Sequence, residues 1–495
     1  VVATVDPLGH TTRLTYDEDN NELTVTDPLG HVTSNTYDDA GNMLSLTDPM
    51  TNTTMFTYDS FGRQRTVTDP LGNITENIYD GQGNLIKTVN PLGETSENVY
   101  NPAGQLSQTK DARGRTTATF AYDGDGHLER MSDASGFSRN FEYDKNGHQT
   151  ESGYVWMNPE DPGDTSNVVT RSVYSADGKL LKSIDPEGAV TRTIYNDFGQ
   201  PGETVDKLGN STFMSYDARG HLIETAFPDG TVTRTVYDEN GRAVLAADRH
   251  VPGNETHGTR SVFDAAGRLI RTERLSDIVI NIVDNKSVVT SAGGIISSNV
   301  TSYDAASRVM MTIAPEGQVT SNEYDAADRQ VAVVDAEENR TEFAYDAAGR
   351  QTLMRDALQR TFQYSYDELG RRVKTTFEDS TYTSNTFNDL GHRIAERDQA
   401  GKVRRFEYDI QGRLTAVVLP AVPDPENASQ LAEPRYEYEY DIYGNLKKIT
   451  DPKLRETVFT YDSQNRMLSR TLPGGILMLK YYVFPRFYRG SALAP

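Results

Sequence analysis

The chain is 495 residues long and carries 72 Asp and Glu against 49 Lys and Arg, a formal net charge of −23. That charge argues against nucleic acid or an anionic membrane surface as a partner, and no run of 18 apolar residues offers a membrane-spanning helix. With no cysteine, disulfide staples and thiolate-bound metals are excluded, and a bacterial source is favoured over a secreted eukaryotic one.

Val1 falls inside a repeating pattern, with neither an initiator Met nor a signal peptide, as expected of a piece of something longer. From Tyr16 a tyrosine returns at Tyr37, Tyr58, Tyr79 and Tyr100, each 21 residues after the last and, except before Asn101, each followed by Asp. A fixed period marks a repeat architecture, in which each unit buries its apolar surface only against its neighbours. Within one unit, Tyr37-Asp38-Asp39-Ala40-Gly41 predicts a turn, with Asp38 capping the backbone and Gly41 in the left-handed conformation. A strand follows over 42–47, with Leu44 and Leu46 on one face by simple alternation. Asp48-Pro49 opens a second turn, and a strand over 52–58 places Thr54, Phe56 and Tyr58 on one face. Each repeat is therefore a hairpin. Some 40 strands at ~4.8 Å spacing make a ribbon of ~190 Å, and accumulated twist must curl a sheet that wide. Its two faces are expected to differ, one enclosed and one facing solvent.

The beat continues through Tyr345, Tyr366 and Tyr408, with turn glycines Gly62, Gly349 and Gly412 in the place of Gly41. It is interrupted near 150–168 (Trp156, Pro159), 249–258 (Pro252) and 420–434 (Pro423), expected as enlarged turns and contact loops, and again near 275–298. Between Phe263 and Tyr303 the gap is close to two periods, and Val283-Asp284-Asn285 near its middle reads as a degenerate repeat with Val in the Tyr position. The stretch from Ile278 to Ile296 is richer in β-branched residues and is expected to pack more deeply. The array is read as continuous over 1–482, with Tyr482 one further period along and 483–495 a non-repeat tail.

The bland reading outweighs the chemical one throughout. Aspartates after Tyr are expected to cap turns rather than to hold metal or act as catalytic pairs. Asp123-Gly124-Asp125-Gly126 resembles the start of a calcium loop but lacks the ligands that should follow. The eight His are scattered, several just after a turn Gly, with no zinc spacing. No nucleophile elbow is recognisable, so no catalytic, cofactor-binding or metal-ligating residue is assigned. In-register tyrosines could stack sugars, but packing within the sheet is the favoured role.

The units Tyr58-Asp59-Ser60-Phe61-Gly62-Arg63, Tyr345-Asp346-Ala347-Ala348-Gly349-Arg350 and Tyr408-Asp409-Ile410-Gln411-Gly412-Arg413 resemble the YD repeats of the RHS family, as do the Asp-Pro-Leu-Gly turns and the 21-residue spacing. The resemblance implies an all-β fold, a YD-repeat hairpin array in one curled, spiralling sheet that forms a hollow shell or part of its wall. In RHS toxins and toxin-complex subunits such a shell encloses a C-terminal toxic domain. In teneurin-like relatives it serves adhesion at cell surfaces. The family's self-cleaving Asp-Pro-x-Gly-Leu segment is not matched here, since Gly9-His10, Gly30-His31, Gly72-Asn73 and Gly188-Ala189 lack the Leu. No self-cleavage is expected in this piece. The resemblance implies a non-enzymatic shell segment, secreted or at a cell surface. Its partners would be its own effector domain or flanking shell repeats, and the alternative is an adhesion module for a cell-surface glycan or protein.

Overall fold

The computed structural model describes residues 1–157, 163–423, 430–462 and 465–479. Among these the chain is all β: 44 strands and no helix, close to the number expected from the period. Forty-two strands belong to one antiparallel sheet, and Val422–Pro423 with Leu431–Ala432 form a separate two-stranded ribbon. Sequence neighbours pair: Met43–Thr47 with Thr53–Tyr58, and that strand with Gln64–Thr68. Most strands are five or six residues long.

Simple alternation holds for Thr54, Phe56 and Tyr58, which are half-buried while Met55 and Thr57 between them are exposed. It fails for Leu44. The register shifts at each tyrosine, so that Thr36 opposes Ser45 while Tyr37 opposes Met43. Leu44 is the extra, unpaired residue of a β-bulge, and a bulge moves its side chain off the face that alternation assigns. Leu44 is accordingly 39% exposed. The same shift recurs at Tyr58, Tyr79, Tyr345 and Tyr366.

The chain divides into two compact units: Val1–Phe137, Ser215–Thr225 and Val232–Lys402 in one, Ser138–Met214, Ala226–Thr231 and Val403–Pro495 in the other. In the first unit the stretch between Phe263 and Tyr303 is a single long hairpin, not a degenerate repeat. Leu269–Val283 pairs with Lys286–Tyr303 from Arg271 opposite Val300 to Val283 opposite Lys286. Asp284 and Asn285 both take positive φ at its tip (51° and 54°), the geometry of a two-residue hairpin turn whose twist matches that of the strands. The Val-Asp-Asn run mimics the beat because both are turns after an apolar residue.

This hairpin also builds a true core. Leu275, Ile278 and Ile280 are at most 1% exposed and pack with Leu245, Ala247 and Val236. The Ser287 hydroxyl donates to the Thr235 carbonyl (2.6 Å), and an Arg234 Nη donates to the Ile280 carbonyl (2.5 Å). The hairpin thus lies back over the sheet at Val232–Tyr237. Gly258 permits the approach, because a Cβ there would sit 2.2 Å from Ile278 Cδ1.

In the second unit, Gln149–Met157 and Thr165–Tyr174 form another lengthened hairpin, with Val168 buried. The loop residues Pro159, Asp161 and Pro162, together with Tyr482 and the 483–495 tail, lie outside the described residues.

Candidate functional site

The recurring structural site is a clasp between consecutive repeats. In the turn after Tyr303, the Asp304 amide donates to the Arg308 carbonyl (3.0 Å) and the Ser307 amide to the Asp304 carbonyl (3.1 Å). One Asp304 carboxylate oxygen accepts from the Arg308 amide (2.9 Å), the other from Arg308 Nε (2.7 Å). The arginine then reaches forward. Its Nη1 donates to the Asp325 carbonyl of the next turn (3.1 Å), and its guanidinium lies 4.9 Å from the Tyr324 ring centre. Tyr324 reaches back, its hydroxyl donating to the Val309 carbonyl (2.9 Å), which also accepts from the Asn322 amide group (2.8 Å). This Tyr-Asp turn is therefore closed by its own Asp and tied to the Tyr-Asp turn of the next repeat by Arg and Tyr.

The clasp repeats with Arg329 over Tyr345, Arg350 over Tyr366 and Arg371 over Phe387. Where the arginine is replaced, histidine does similar work: His148 stacks on Tyr174 (5.0 Å) and His221 on Tyr237 (4.8 Å) while each contacts its turn Asp through Nδ1. Asn42 and Asn52 close their turns through Nδ2 to Asp38 and Asp48. A guanidinium over a ring at partly exposed sites contributes about 0.5–1 kcal/mol, and each neutral hydrogen bond about 1 kcal/mol. The array is held by many small terms rather than by a core.

Five of the seven expected tyrosines make the backward tie of this clasp. Hydroxyls of Tyr37, Tyr58, Tyr79, Tyr345 and Tyr366 donate to the carbonyls of Glu22, Met43, Gln64, Gln330 and Gln351, at 2.6–3.0 Å. Tyr16, near the first strand, is 38% exposed, and Tyr408 ends its strand opposite Leu414. Gly41, Gly62, Gly349 and Gly412 all have φ between 76° and 82°, the left-handed position of a type I turn with a G1 bulge. Burial pushes the phenols of Tyr58, Tyr345 and Tyr366 up from their ordinary value.

Turn carboxylates are engaged in structure. At Asp59 the Arg63 guanidinium is the main cause of a lowered pKa. At Asp6 burial pushes upward, but the His10 amide, Asn240 and the His10 ring outweigh it and hold the acid at about 2. Asp123, in the run that resembles a calcium loop, accepts from the Asp125 and His127 amides and contacts the His127 ring. Among the described residues no group of three or more His, Asp or Glu could hold a metal ion.

The expected contact loops fall in different units. Trp156 is half-buried opposite Ser166, between exposed Val155 and Met157, in the second unit. Pro423, exposed and paired with Leu431, is in that unit too. Pro252 is exposed in the turn closed by the Asn254 amide on the Val251 carbonyl, in the first unit.

Sequence reasoning missed the residue four places after each turn Asp, although its signal was visible in the His after Gly and the Arg that ends each quoted Tyr-Asp unit. It also missed a row of ties between distant turns. In the first unit Arg350 meets Glu94 (3.0 Å), Arg113 meets Glu368 (3.2 Å), Arg115 meets Asp389, and the Asn240 side chain donates to Asp6 (2.7 Å). In the second, the Tyr154 hydroxyl donates to the Ile442 carbonyl (3.0 Å).

A sheet of hairpins clasped turn to turn, with little core, defines a repeat-built wall protein. The RHS Repeat family matches residues 1–32, 37–74, 79–116, 100–137, 216–249, 324–361, 345–381, 387–421 and 440–476, well over half of the chain, and the chain belongs to that family. No curated protein matches it in sequence. Among solved structures it is similar to the TcdB2-TccC3 crystal structure at 14% identity and a TM-score of 0.66, covering 96% of this chain and 35% of that one. It is similar also to a mutant Tc holotoxin pore of Photorhabdus luminescens at 14% identity and a TM-score of 0.52, covering 94% and 28%. These likenesses are of fold, and the chain spans about a third of the length of the structures it matches. Fold and family together support a structural, shell-type role.

Proposed function

We propose that the chain is a non-catalytic wall segment of the shell of a secreted, toxin-like bacterial protein, and that the wall encloses or presents an effector region of the same polypeptide. The observation that carries this reading is the Arg350–Glu94 tie within the first unit. These residues are 256 positions apart, about twelve periods, so the sheet comes back to its own edge turn to turn. A sheet that meets itself acts as a barrier. Its mechanism is steric: it excludes proteases and keeps an enclosed region from acting early. The Tyr-Asp pairs favour this role over sugar binding, since ring faces lie under arginine or histidine and hydroxyls are taken by carbonyls. The natural partners are the effector region and flanking shell repeats.

The test uses the longer parent polypeptide with the region that follows the repeats. Limited proteolysis is compared for that region alone and joined to the array. Protection by at least tenfold in digestion rate is expected. Equal digestion in both contexts would overturn the enclosure.

A further inference from the structure

The ties between distant turns in the first unit have a chemistry unlike the rest of the molecule. One row consists of the second-type turns of early repeats, carrying Asp6, Glu94, Arg113 and Arg115. The facing row consists of the Tyr-Asp turns of later repeats and the Phe387-Asn388 turn that takes the same place, carrying Asn240, Arg350, Asp367, Glu368 and Asp389. The four ties between them are polar, and three of the four pair charge with charge. Glu368 and Asp389 are each 72% exposed. Among the described residues no backbone hydrogen bond joins these turns across the rows. Packing is open as well. Cavities of about 480 Å³, between the turns at Asp48 and Asp69 and those at Ala326 and Ala347, and of about 560 Å³, between Asn90 and Leu390, run along the junction.

Within a row the opposite holds. Hairpins share full ladders of backbone bonds, and the clasp adds partly buried Arg-Asp pairs and Tyr-carbonyl bonds. Arg350–Glu94 is as sheltered as a clasp pair, while Arg113–Glu368 and Arg115–Asp389 each have an exposed carboxylate. Exposed ion pairs contribute about 0–1 kcal/mol each and are screened by salt, whereas ladders are not. The two kinds of junction therefore differ in strength and in what weakens them.

We propose that this seam is an ionic-strength-sensitive latch: the two turn rows part while the hairpins on each side stay folded. Opening then needs the loss of a few screened pairs, with no strand unpaired. The device stands on the contacts within this unit and does not depend on what the wall encloses.

Because the chain has no cysteine, spin labels can be placed at will. One pair, Ser96→Cys with Ser365→Cys, reports across the seam. A second, Thr57→Cys with Ser96→Cys, reports along one row. Salt is raised from about 0.1 M to about 1 M NaCl, over which the screening length falls from about 10 Å to about 3 Å. The cross-seam distance distribution is expected to broaden and move outward by several ångströms, with the along-row distance fixed. The double variant Glu368→Gln, Asp389→Asn, which leaves the clasp residues untouched, is expected to show the broadened distribution already at low salt. A cross-seam distance unchanged by both salt and variant overturns the proposal. So does an along-row distance that moves in step, since the opening would then be unfolding.

Discussion

The ordinary repeats and the long hairpin at 269–303 solve one problem in opposite ways. A repeat such as 304–324 buries almost nothing completely, and its order comes from one Asp, one Arg and one Tyr used twice over. The long hairpin concentrates burial in Leu275, Ile278 and Ile280 and holds Glu273, 2% exposed, against Arg260 and Arg271. Polar closure is distributed over every turn, whereas apolar closure is local and adds to the few ion pairs around it, those of Glu273 and of Asp248 with Arg274. The two regions should therefore fail under different insults.

Acid gives the largest expected difference. Turn aspartates such as Asp17, Asp38, Asp59 and Asp80 have lowered pKa values, and Asp6 and Asp177 fall from the ordinary 3.8 to about 2. A depressed folded value means a stabilising contribution that is complete above the unfolded pKa and is lost as pH falls through the folded one. Thermal stability is expected to be flat above about pH 5 and to drop steeply between about 4 and 2. Hydrogen exchange at low pH should show the regular turns opening before the amides around Ile278. Uniform loss of protection in both regions would erase the distinction.

A cavity in the hairpin should do the reverse. Ile278→Ala removes a fully buried side chain and is expected to cost about 2–5 kcal/mol. The loss should be seen as earlier urea unfolding of 243–303 with little change in exchange at the turns near Tyr37 and Tyr58. By contrast Asp325→Ala frees the Ala327 and Arg329 amides and Arg329 Nε. In a partly exposed turn that loss is expected to cost about 1–2 kcal/mol and to be confined to 324–350. If Asp325→Ala destabilised the 269–303 hairpin equally, the two regions would not be separate.

The contrast also explains what could be read from the sequence. The beat, the turn aspartates, the left-handed glycines and the half-buried face of Thr54, Phe56 and Tyr58 were legible because each depends on residues within one hairpin. The bulge at Leu44 was not, because an unpaired residue leaves no mark on an apolar alternation. Arg63, Arg350 and Arg413 stood in the quoted units, but their forward contacts to Tyr79, Tyr366 and Tyr440 become visible only when neighbouring hairpins are in register. The long hairpin was misread because Val283-Asp284-Asn285 obeys the same turn chemistry as the beat. The seam was out of reach, since Glu94 and Arg350 are 256 residues apart and nothing local links them.

The smallest expected effect isolates the clasp. Tyr324→Phe keeps the ring under Arg308 and deletes only the hydroxyl that donates to the Val309 carbonyl. That carbonyl still accepts from Asn322, so the cost should sit at the low end of a single hydrogen bond, about 0.5 kcal/mol. Phe387 provides the mirror experiment. It lies under Arg371, and Asn385 donates to the Arg372 carbonyl at the longer distance of 3.4 Å. Phe387→Tyr supplies the hydroxyl that Tyr324 and Tyr345 use and is expected to raise stability by about 0.5–1 kcal/mol, measured by urea denaturation. A gain at Phe387 with a loss at Tyr324 assigns the difference to the hydroxyl. No change at either would mean that the guanidinium and the ladder alone set the register, leaving the tyrosine beat a matter of ring packing.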